Sequence, residues 1–230
     1  KILVLTKMNN VSLSLNEKLT KFLREHQIKD STNITHQAIG SSTPKKIYGG
    51  KYHIPDSKLE EFYNMYFLAI DSGASYYIVE KQNIDYCGFG IDLDFRYDTS
   101  VVKRVITNSQ LNELLESTVG ILNEMFEIIA PTKKLKGMCM YIALKDEPIL
   151  TEKVTKDGVH IYVPIVLDKF HRKMFYQRLL NILPSIFGND GNVNTFEDIL
   201  DNRVLTGATG WQMLGSKKPN NIPYKIVKVY

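Results

Sequence analysis

The segment Gly90–Arg96, GIDLDFR, alternates apolar and polar residues, which predicts a β-strand with one buried face at the centre of the fold. Successive side chains of a β-strand point to opposite faces, so Asp92 and Asp94 share one face while the apolar residues between them point into a core. Two neighbouring carboxylates stay ionised most easily with a cation between them, and a hard divalent metal is the natural candidate. The alternative is a solvated edge strand whose Asp pair is neutralised by Arg96.

The composition is that of an ordinary globular protein of 230 residues, with 43% hydrophobic and 10% aromatic content. A chain of this length can bury a substantial core as one domain or as two closely packed lobes. It has no apolar run of about 18 residues, and Lys1–Leu5 is too short an apolar run for a signal peptide, so we expect no membrane segment. The net charge of +4 permits a polyanionic partner without requiring one.

The cysteine content and the chain ends suggest an intracellular fragment. Cys87 and Cys139 are distant in sequence and have no metal-ligand spacing around them, so neither a disulfide framework nor a zinc module is expected. A reducing, cytoplasmic location fits best. The sequence begins without Met and ends in the strand-like segment Lys225–Tyr230, which suggests that it is cut from a longer protein.

Hydrophobic periodicity and turn residues predict an α/β chain. The first half is expected to contain an amphipathic helix, a short strand, a helix opened by a Ser57–Glu60 capping box, and two strands. These elements are placed at Leu13–Gln27, Ile34–Ile39, Ser57–Asp71, Tyr76–Lys81 and Tyr86–Tyr97.

The second half predicts a long core helix opened by a Thr107–Gln110 capping box and closed near Ile129. Two hairpin-like strands, a basic helix capped by Asp168 and ended or kinked by Pro184, and a helical turn leading to Asp201 are expected after it. The strands are placed at Gly137–Leu144 and Gly158–Val166, and the turn at Thr195–Leu200.

Three smaller features have both a functional and a structural interpretation. Lys45, Lys46 and Lys51 are interleaved with Tyr48 and Tyr52, a pattern that can bind single-stranded nucleic acid, but the preferred interpretation is a solvated loop.

His160 and Tyr162 share a strand face, and a lone His on a strand is usually structural. The segment Gly215–Lys218, GSKK, can bring backbone N–H groups and an ammonium against phosphate, but it lacks the strand and helix context of a phosphate-binding loop.

Three motifs, in their order along the chain, resemble the catalytic domain of the archaeo-eukaryotic primase superfamily. Asp92–Asp94 matches its DxD strand, Gly158–His160 its small-x-His strand, and Leu200–Asp201 its hydrophobic-Asp motif. The resemblance covers about residues 45–220. It is closer to the branch found in nucleocytoplasmic large DNA viruses, where the domain is fused ahead of a helicase. Features of that branch are Gly50–Pro55, the continuation of the first motif to Tyr97, and Met213–Lys218.

This resemblance implies a DNA primase that makes short primers de novo on single-stranded DNA in viral replication. Asp92, Asp94 and Asp201 would be the catalytic residues and would hold two Mg²⁺ or Mn²⁺ ions, which stabilise the attacking and leaving oxygens of nucleotidyl transfer. The nucleoside triphosphate would be contacted by His160, Ser216, Lys217, Lys218 and, less directly, Arg96, which can instead pair with Asp94.

The resemblance also implies an α/β (α+β) fold, with an RRM-like sheet packed against a second αβ lobe and the active site in the groove between them. We expect one catalytic domain over residues 1–230, with an N-terminal αβ part at about 1–80 and the catalytic core at 81–230. Expected partners are single-stranded DNA, nucleoside triphosphates and a fused helicase domain.

The sequence departs from the family's pattern in two ways. Gln212 stands near the place where many members carry an Arg, so Lys217 or Lys218 would take its role, and no zinc element is visible.

Two other classes of protein are also compatible with the sequence. A non-catalytic RRM-like module would bind nucleic acid through exposed aromatic and basic residues on its sheet. A nuclease or a glycosyltransferase could also use a DxD motif to bind a metal.

Overall fold

The computed structural model describes residues 15–30, 32–39, 49–83, 85–129, 138–188, 191–218 and 221–230. These residues form helices and two antiparallel sheets, which confirms the mixed α/β class. The chain divides into two compact units. The first comprises Lys1–Lys81 and Gly210–Tyr224, and the second comprises Gln82–Thr209 and Lys225–Tyr230.

The elements are numbered along the chain. The helices are α1 (residues 15–25), α2 (Asp56–Asp71), α3 (Asn108–Ile129), α4 (Lys169–Phe187), α5 (Phe196–Ile199) and α6 (Asn202–Leu205). The strands are β1 (Gln27–Ile28), β2 (His36–Ala38), β3 (Gly50–Tyr52), β4 (Ile78–Glu80), β5 (Tyr86–Tyr97), β6 (Tyr141–Leu144), β7 (Ile149–Leu150), β8 (Thr155–Asp168), β9 (Trp211–Gln212) and β10 (Lys225–Val229).

The first unit is a small sheet with the strand order β1-β3-β2-β4-β9, and α1 and α2 contribute to its core. Phe62 and Tyr66 of α2 are fully buried in that core. Strand β9 pairs with β4 through Val79 and Gln212, so the segment after residue 209 returns to the first unit. From the sequence, residues 81–230 are expected to form one part of the domain, whereas the structure assigns Gly210–Tyr224 to the first unit. Pairing between strands that are distant along the chain leaves no local signal in the sequence.

The second unit is a sheet with the order β10-β6-β8-β5, and β7 adds to the end of β8. The long strands β5 and β8 pair over their whole length, with Ile91 opposite Ile161 and Leu93 opposite Val159. Their inward side chains and the apolar stripes of α3 and α4 form one core. The three apolar residues of the DxD stretch lie in it and are almost completely buried: Ile91, Leu93 and Phe95.

The predicted helix starts are confirmed at two places and wrong at one. Thr107 Oγ1 accepts from the Gln110 N–H and Gln110 Oε1 accepts from the Thr107 N–H, which is the expected capping box. Asp168 caps α4 by accepting from the His171 N–H. The Ser57–Glu60 box is wrong, because α2 starts one residue earlier and its N-cap is Pro55, which offers no side-chain acceptor.

Helix α4 continues through Pro184 to Phe187, so this proline does not end it. The predicted basic and aromatic cluster is only partly described: Lys45, Lys46 and Tyr48 lie outside the described residues. Lys51 and Tyr52 belong to β3, and the Tyr52 ring is buried in the core of the first unit. That ring therefore packs and is not exposed for base stacking. No helix in the described ranges is both long enough and apolar enough to cross a membrane.

An ion pair fixes the connection between β5 and α3. Arg104 Nε and one of its terminal nitrogens each lie 2.9 Å from an oxygen of the fully buried Asp157 carboxylate, and the same terminal nitrogen donates to the Lys145 carbonyl. Bidentate pairs of this kind are strong but depend on both partners, because a buried charge left alone is unfavourable.

We expect Asp157→Asn to lower the free energy of unfolding by about 3 kcal/mol, since Arg104 then loses its counter-charge. The matched control is Asp146→Asn, which breaks the pair of Asp146 with Lys225, two side chains that are 60% and 57% exposed. Exposed pairs contribute roughly 0 to 1 kcal/mol. Urea unfolding at pH 7 measures both variants, and equal losses would contradict the assigned role of Asp157.

The first unit contains a buried histidine, His36. Its ring packs edge-on against Phe62, with ring centroids 4.7 Å apart, and its Nδ1 lies 3.0 Å from Thr35 Oγ1. Burial lowers the pKa of His36 to about 4. The Glu80 carboxylate lies 4.0 Å from Nε2 and accepts a hydrogen bond from the Tyr63 hydroxyl.

Stability should therefore fall as the pH is lowered from about 6.5 to 4. The unfolded His36 takes up a proton below its ordinary pKa, whereas the folded one stays neutral until about pH 4. Between pH 7 and pH 5 we expect wild-type protein to lose about 2 kcal/mol more than His36→Gln, at 1.36 kcal/mol per pH unit. Urea unfolding at the two pH values tests this, and an equal pH dependence in both proteins would show that His36 does not titrate as described.

Candidate active site

The outward face of the second unit's sheet carries four of the predicted site residues. Asp92, Asp94 and Arg96 alternate along β5 with the buried apolar residues, as the sequence predicts, and His160 lies on the neighbouring strand β8. Asp92 is directly opposite His160 in the register of the two strands. The strand pairing therefore brings the first two motifs together, although residues 95–159 separate Asp94 from His160 along the chain.

His160 is nearly buried and faces the first carboxylate. Its Nε2 lies 3.4 Å from Asp92 Oδ1, a distance at which an imidazolium and a carboxylate attract each other. The Asp92 side chain is about one-quarter exposed and that of His160 only 6%. The pairing of β5 with β8 thus holds His160 beside Asp92, at the edge of the exposed acidic face.

Asp94 is the more exposed of the two strand carboxylates and is already paired with two cations. Its Oδ2 lies 3.3 Å from an Arg96 terminal nitrogen and 3.7 Å from Lys156 Nζ. Gly158 is opposite Asp94 in β8 and leaves the space beside the carboxylate without a side chain. The pairing of Arg96 with Asp94, one of the two alternatives from the sequence, is therefore present, and Lys156 adds a second basic group.

Asp201 is placed beside Asp92 by backbone pairing. The Asp201 N–H donates to the Asp92 carbonyl at 2.9 Å, and Leu200 forms an antiparallel bridge with Leu93. Its side chain caps the short helix α6, where Oδ1 accepts from the N–H groups of Arg203 and Val204. The third motif thus lies against the free edge of β5, directly alongside the first.

Asn194 is a residue of this region that the sequence did not reveal. Its Oδ1 accepts from the Arg96 N–H at 3.0 Å and its Nδ2 donates to the Asp94 carbonyl at 2.9 Å. The side-chain amide takes the place of a neighbouring strand on the free edge of β5, and Val193 extends this contact by donating to the Arg96 carbonyl. A lone Asn in a polar loop gives no sequence signal for such a role.

The remaining predicted site residues lie in the first unit. Ser216 is fully buried, and its hydroxyl accepts from the Ile78 N–H at 2.7 Å. Gly215 has a φ of 78°, and a Cβ there would lie 2.6 Å from the Ile70 side chain of α2. These contacts give the Gly-Ser pair a packing role, and a phosphate role for Ser216 stays a prediction.

The two lysines that follow are more accessible. Lys217 is half-buried and its N–H donates to the Tyr76 carbonyl, while Lys218 is exposed. Gln212, the departure from the family's Arg, donates from Nε2 to the Ser216 carbonyl at 2.6 Å and so closes the same turn. Phosphate contacts by Lys217 and Lys218 stay predictions.

The donor chemistry of the acidic face suits a hard divalent ion, because all three candidate ligands are carboxylates and two of them share a strand face. Each of the three nevertheless has partners already. Asp92 faces His160, and Asp94 pairs with Arg96 and Lys156. The Asp201 side chain accepts from the N–H groups at the start of α6. Within the described ranges, no three His, Cys, Asp or Glu side chains are grouped closely enough to hold a metal ion. A metal would therefore have to draw Asp94 away from its two basic partners.

The family model described as "C962R protein N-terminal AEP domain" matches residues 42–230, and AEP denotes the archaeo-eukaryotic primases. This chain belongs to that family. The AEP domain carries the three motifs in the geometry described above, with the strand pair and the edge contact of Asp201 inside the matched range. Membership supports a nucleotidyltransferase function of the primase type.

Two viral proteins are similar to this AEP domain over most of its length. "Putative helicase L207/L206" of Acanthamoeba polyphaga mimivirus is 26% identical over 97% of this chain, and "Putative helicase 184R" of Invertebrate iridescent virus 6 is 21% identical over 85%. The matches cover 24% and 21% of those proteins. The AEP domain thus spans about a quarter of the length of these relatives.

Among solved structures, the "Polymerase Domain from Mycobacterium tuberculosis Ligase D in complex with DNA" aligns with 86% of this chain and 66% of that chain. The TM-score is 0.36 and the sequence identity is 10%.

We expect the double variant Asp92→Asn, Asp94→Asn to bind Mn²⁺ at least tenfold more weakly than wild type, a loss of about 1.4 kcal/mol or more, because amides are poorer ligands than carboxylates for hard cations. Calorimetric titration with Mn²⁺ measures the change. The control is Asp146→Asn with Asp198→Asn, two acids outside the candidate site. Unchanged Mn²⁺ affinity in the folded Asp92/Asp94 variant would rule out a metal site on this face.

Proposed function

We propose that this AEP domain is a DNA primase that starts short oligonucleotides de novo on single-stranded DNA by two-metal nucleotidyl transfer. The observation that carries the proposal is the pairing of the three motifs: Asp92 lies opposite His160 across the strands, and Asp201 is hydrogen-bonded to the Asp92 backbone. Family membership supports the class of reaction, and this geometry supports the residues assigned to it.

Asp92, Asp94 and Asp201 would hold Mg²⁺ or Mn²⁺, and the bound ions would neutralise the charge that develops on the phosphoryl group. The protein's own contribution is positioning. The β5–β8 register holds Asp92 opposite His160 and the edge contact brings Asp201 alongside, so all three would lie close to a phosphate bound on this face. His160 would contact the triphosphate, and a neighbouring phosphate would favour its protonated form.

A fused helicase and a role in viral DNA replication complete the proposal. Both relatives are viral, are named putative helicases, and are between four and five times as long as the segment that matches, which covers 24% and 21% of them. A helicase on the same chain would keep the priming domain close to newly separated single strands, at a high effective concentration.

The test supplies the domain with Mg²⁺ or Mn²⁺, γ-labelled nucleoside triphosphates and a single-stranded DNA template without a primer. The γ-label survives only at the 5′ end of a strand that the enzyme itself has started, so labelled oligonucleotides report initiation and exclude extension. We expect labelled product from wild type, and at least about a thousandfold less from Asp92→Asn, Asp94→Asn, since electrostatic stabilisation at such sites contributes several kcal/mol.

The Asp146→Asn, Asp198→Asn protein is the matched control and should prime as wild type does. Absence of labelled product, together with tight metal-independent binding of single-stranded DNA, would instead support a non-catalytic binding module. Degradation of the template in the same assay would support a nuclease.

A further inference from the structure

The free edge of β5 is closed by a loop and not by a strand. Strand β5 is the last in the order β10-β6-β8-β5, so within the described ranges no named strand pairs with its other edge. Residues 192–201, here the edge loop, run antiparallel to that edge and contact its backbone at both ends. These contacts join Tyr97 with Asn192, Arg96 with Val193, Leu93 with Leu200 and Asp92 with Asp201. The edge loop is therefore fixed to β5 on both sides of Asp94.

Beside Asp94 itself, the contact is made by a side chain. The backbone of the edge loop turns away there, because Phe196–Ile199 are wound into α5. Asn194 fills the gap: its Oδ1 accepts from the Arg96 N–H at 3.0 Å, and its Nδ2 donates to the Asp94 carbonyl at 2.9 Å. One amide side chain thus supplies the acceptor and the donor that a neighbouring strand would offer.

The backbone groups that take part in these bonds belong to the residues of β5 that carry site side chains. Asp92, Asp94 and Arg96 alternate with the buried residues of the strand. The edge loop forms a hydrogen bond with the backbone of each of the three. The position of the loop therefore bears directly on where the two carboxylates of β5 lie.

We propose that Asn194 is a positioning residue for the metal site. Its two hydrogen bonds hold Asp94 at a fixed distance from Asp201, and this distance determines how tightly the carboxylates bind a divalent ion. This role deepens the proposed primase function and rests on its metal site. Asn194 lies outside the three motifs, in the loop that leads to the third.

Asp94 depends on its backbone for its position. Its carboxylate is 38% exposed, and a metal has to displace its two cation partners, Arg96 and Lys156. The residue opposite in β8 is Gly158, which has no side chain to support the carboxylate. When the cations are displaced, the strand backbone is what holds Asp94, and Asn194 fixes that backbone on the side away from β8.

Asp201 is held at the other end of the same loop. Its N–H donates to the Asp92 carbonyl, and its Oδ1 accepts from the N–H groups at the start of α6. The beginning of the loop is fixed internally as well, since Asn192 Nδ2 donates to the Asn194 carbonyl at 2.9 Å. The spacing between Asp94 and Asp201 is thus set by two contacts with β5, and the contact nearer to Asp94 is the Asn194 side chain.

Metal binding is sensitive to this spacing. Mg²⁺ requires near-octahedral coordination with metal–oxygen distances of about 2.0–2.1 Å. Ligands that are not held in advance have to be ordered when the ion binds, which lowers the affinity. A role of Asn194 in packing alone would instead lower the stability of the fold and leave the Mn²⁺ affinity of the folded protein unchanged.

Calorimetric titration of the folded proteins with Mn²⁺ separates the two roles. We expect Asn194→Ala and Asn194→Leu to bind Mn²⁺ about tenfold more weakly than wild type, the usual effect of removing a group that orients a metal ligand. The leucine variant keeps the volume of the side chain and loses only the hydrogen bonds. Asn194→Gln keeps the amide on a longer side chain and should bind about threefold or more tightly than Asn194→Ala.

Thr195→Ala is the matched control. The Thr195 hydroxyl accepts from the Asp198 N–H and caps α5, so its removal weakens the same loop without removing a contact with β5. This variant should lose stability but bind Mn²⁺ within about twofold of wild type, since the Asn194 hydrogen bonds remain.

Primer synthesis at low and high Mn²⁺ provides a second measurement. At low Mn²⁺ we expect Asn194→Ala to make labelled primers about tenfold more slowly than wild type. Raising the Mn²⁺ concentration should restore most of the rate, because the defect lies in metal affinity. A variant that is partly unfolded would not be restored in this way.

Three results would overturn the assignment: unchanged Mn²⁺ affinity in folded Asn194→Ala, an equal loss in Thr195→Ala, or no Mn²⁺ binding by wild type. If circular dichroism shows that Asn194→Ala does not fold, Asn194→Ser is judged in the same way. Labelled primers from wild type together with equal Mn²⁺ affinities in all variants would contradict the role of Asn194 alone. The expected order of Mn²⁺ affinities without labelled primers from any protein would contradict only the proposed priming function.

Discussion

The antiparallel pairing of β5 with β8 determines both the core and the candidate site of the second unit. Ile91, Leu93 and Phe95 are buried on one face of β5, and fully burying each such side chain is worth roughly 1.5 to 3 kcal/mol. A slip of one residue would expose all three and bury Asp92 and Asp94. Core packing therefore holds the carboxylates in one register, and the geometry of the site follows from the same interaction.

The sequence predicts what is local and periodic. Alternation in β5 gives the correct faces because one side of the strand rests on a core, and the Thr107–Gln110 box gives the correct helix start because both partners lie within four residues. The Ser57–Glu60 box has the same pattern but is wrong. Pro55 has an extended backbone that suits an N-cap position, so the helix begins before Ser57 can act as its cap.

Non-local placement is what the sequence cannot give. No local pattern indicates that Lys156 reaches Asp94, that Tyr141 lies opposite Tyr162, or that Asn194 pairs with the edge of β5. The composition of the GSKK segment likewise gives no sign that the Ser216 hydroxyl is buried and accepts from the Ile78 N–H of β4. The family resemblance supplied the order of the three motifs, and only the strand register supplies their contacts.

The second unit contains one buried ion pair and one exposed group of ion pairs, and the two differ in how easily they can be separated. Arg104 holds the buried Asp157 through two nitrogens, and loss of either partner leaves a charge in a poorly solvated place. Asp94 instead shares one oxygen between Arg96 and Lys156, all three being about 40% exposed, so solvent and salt screen the attraction. Displacing Arg96 and Lys156 from Asp94 would therefore require much less free energy than separating Arg104 from Asp157.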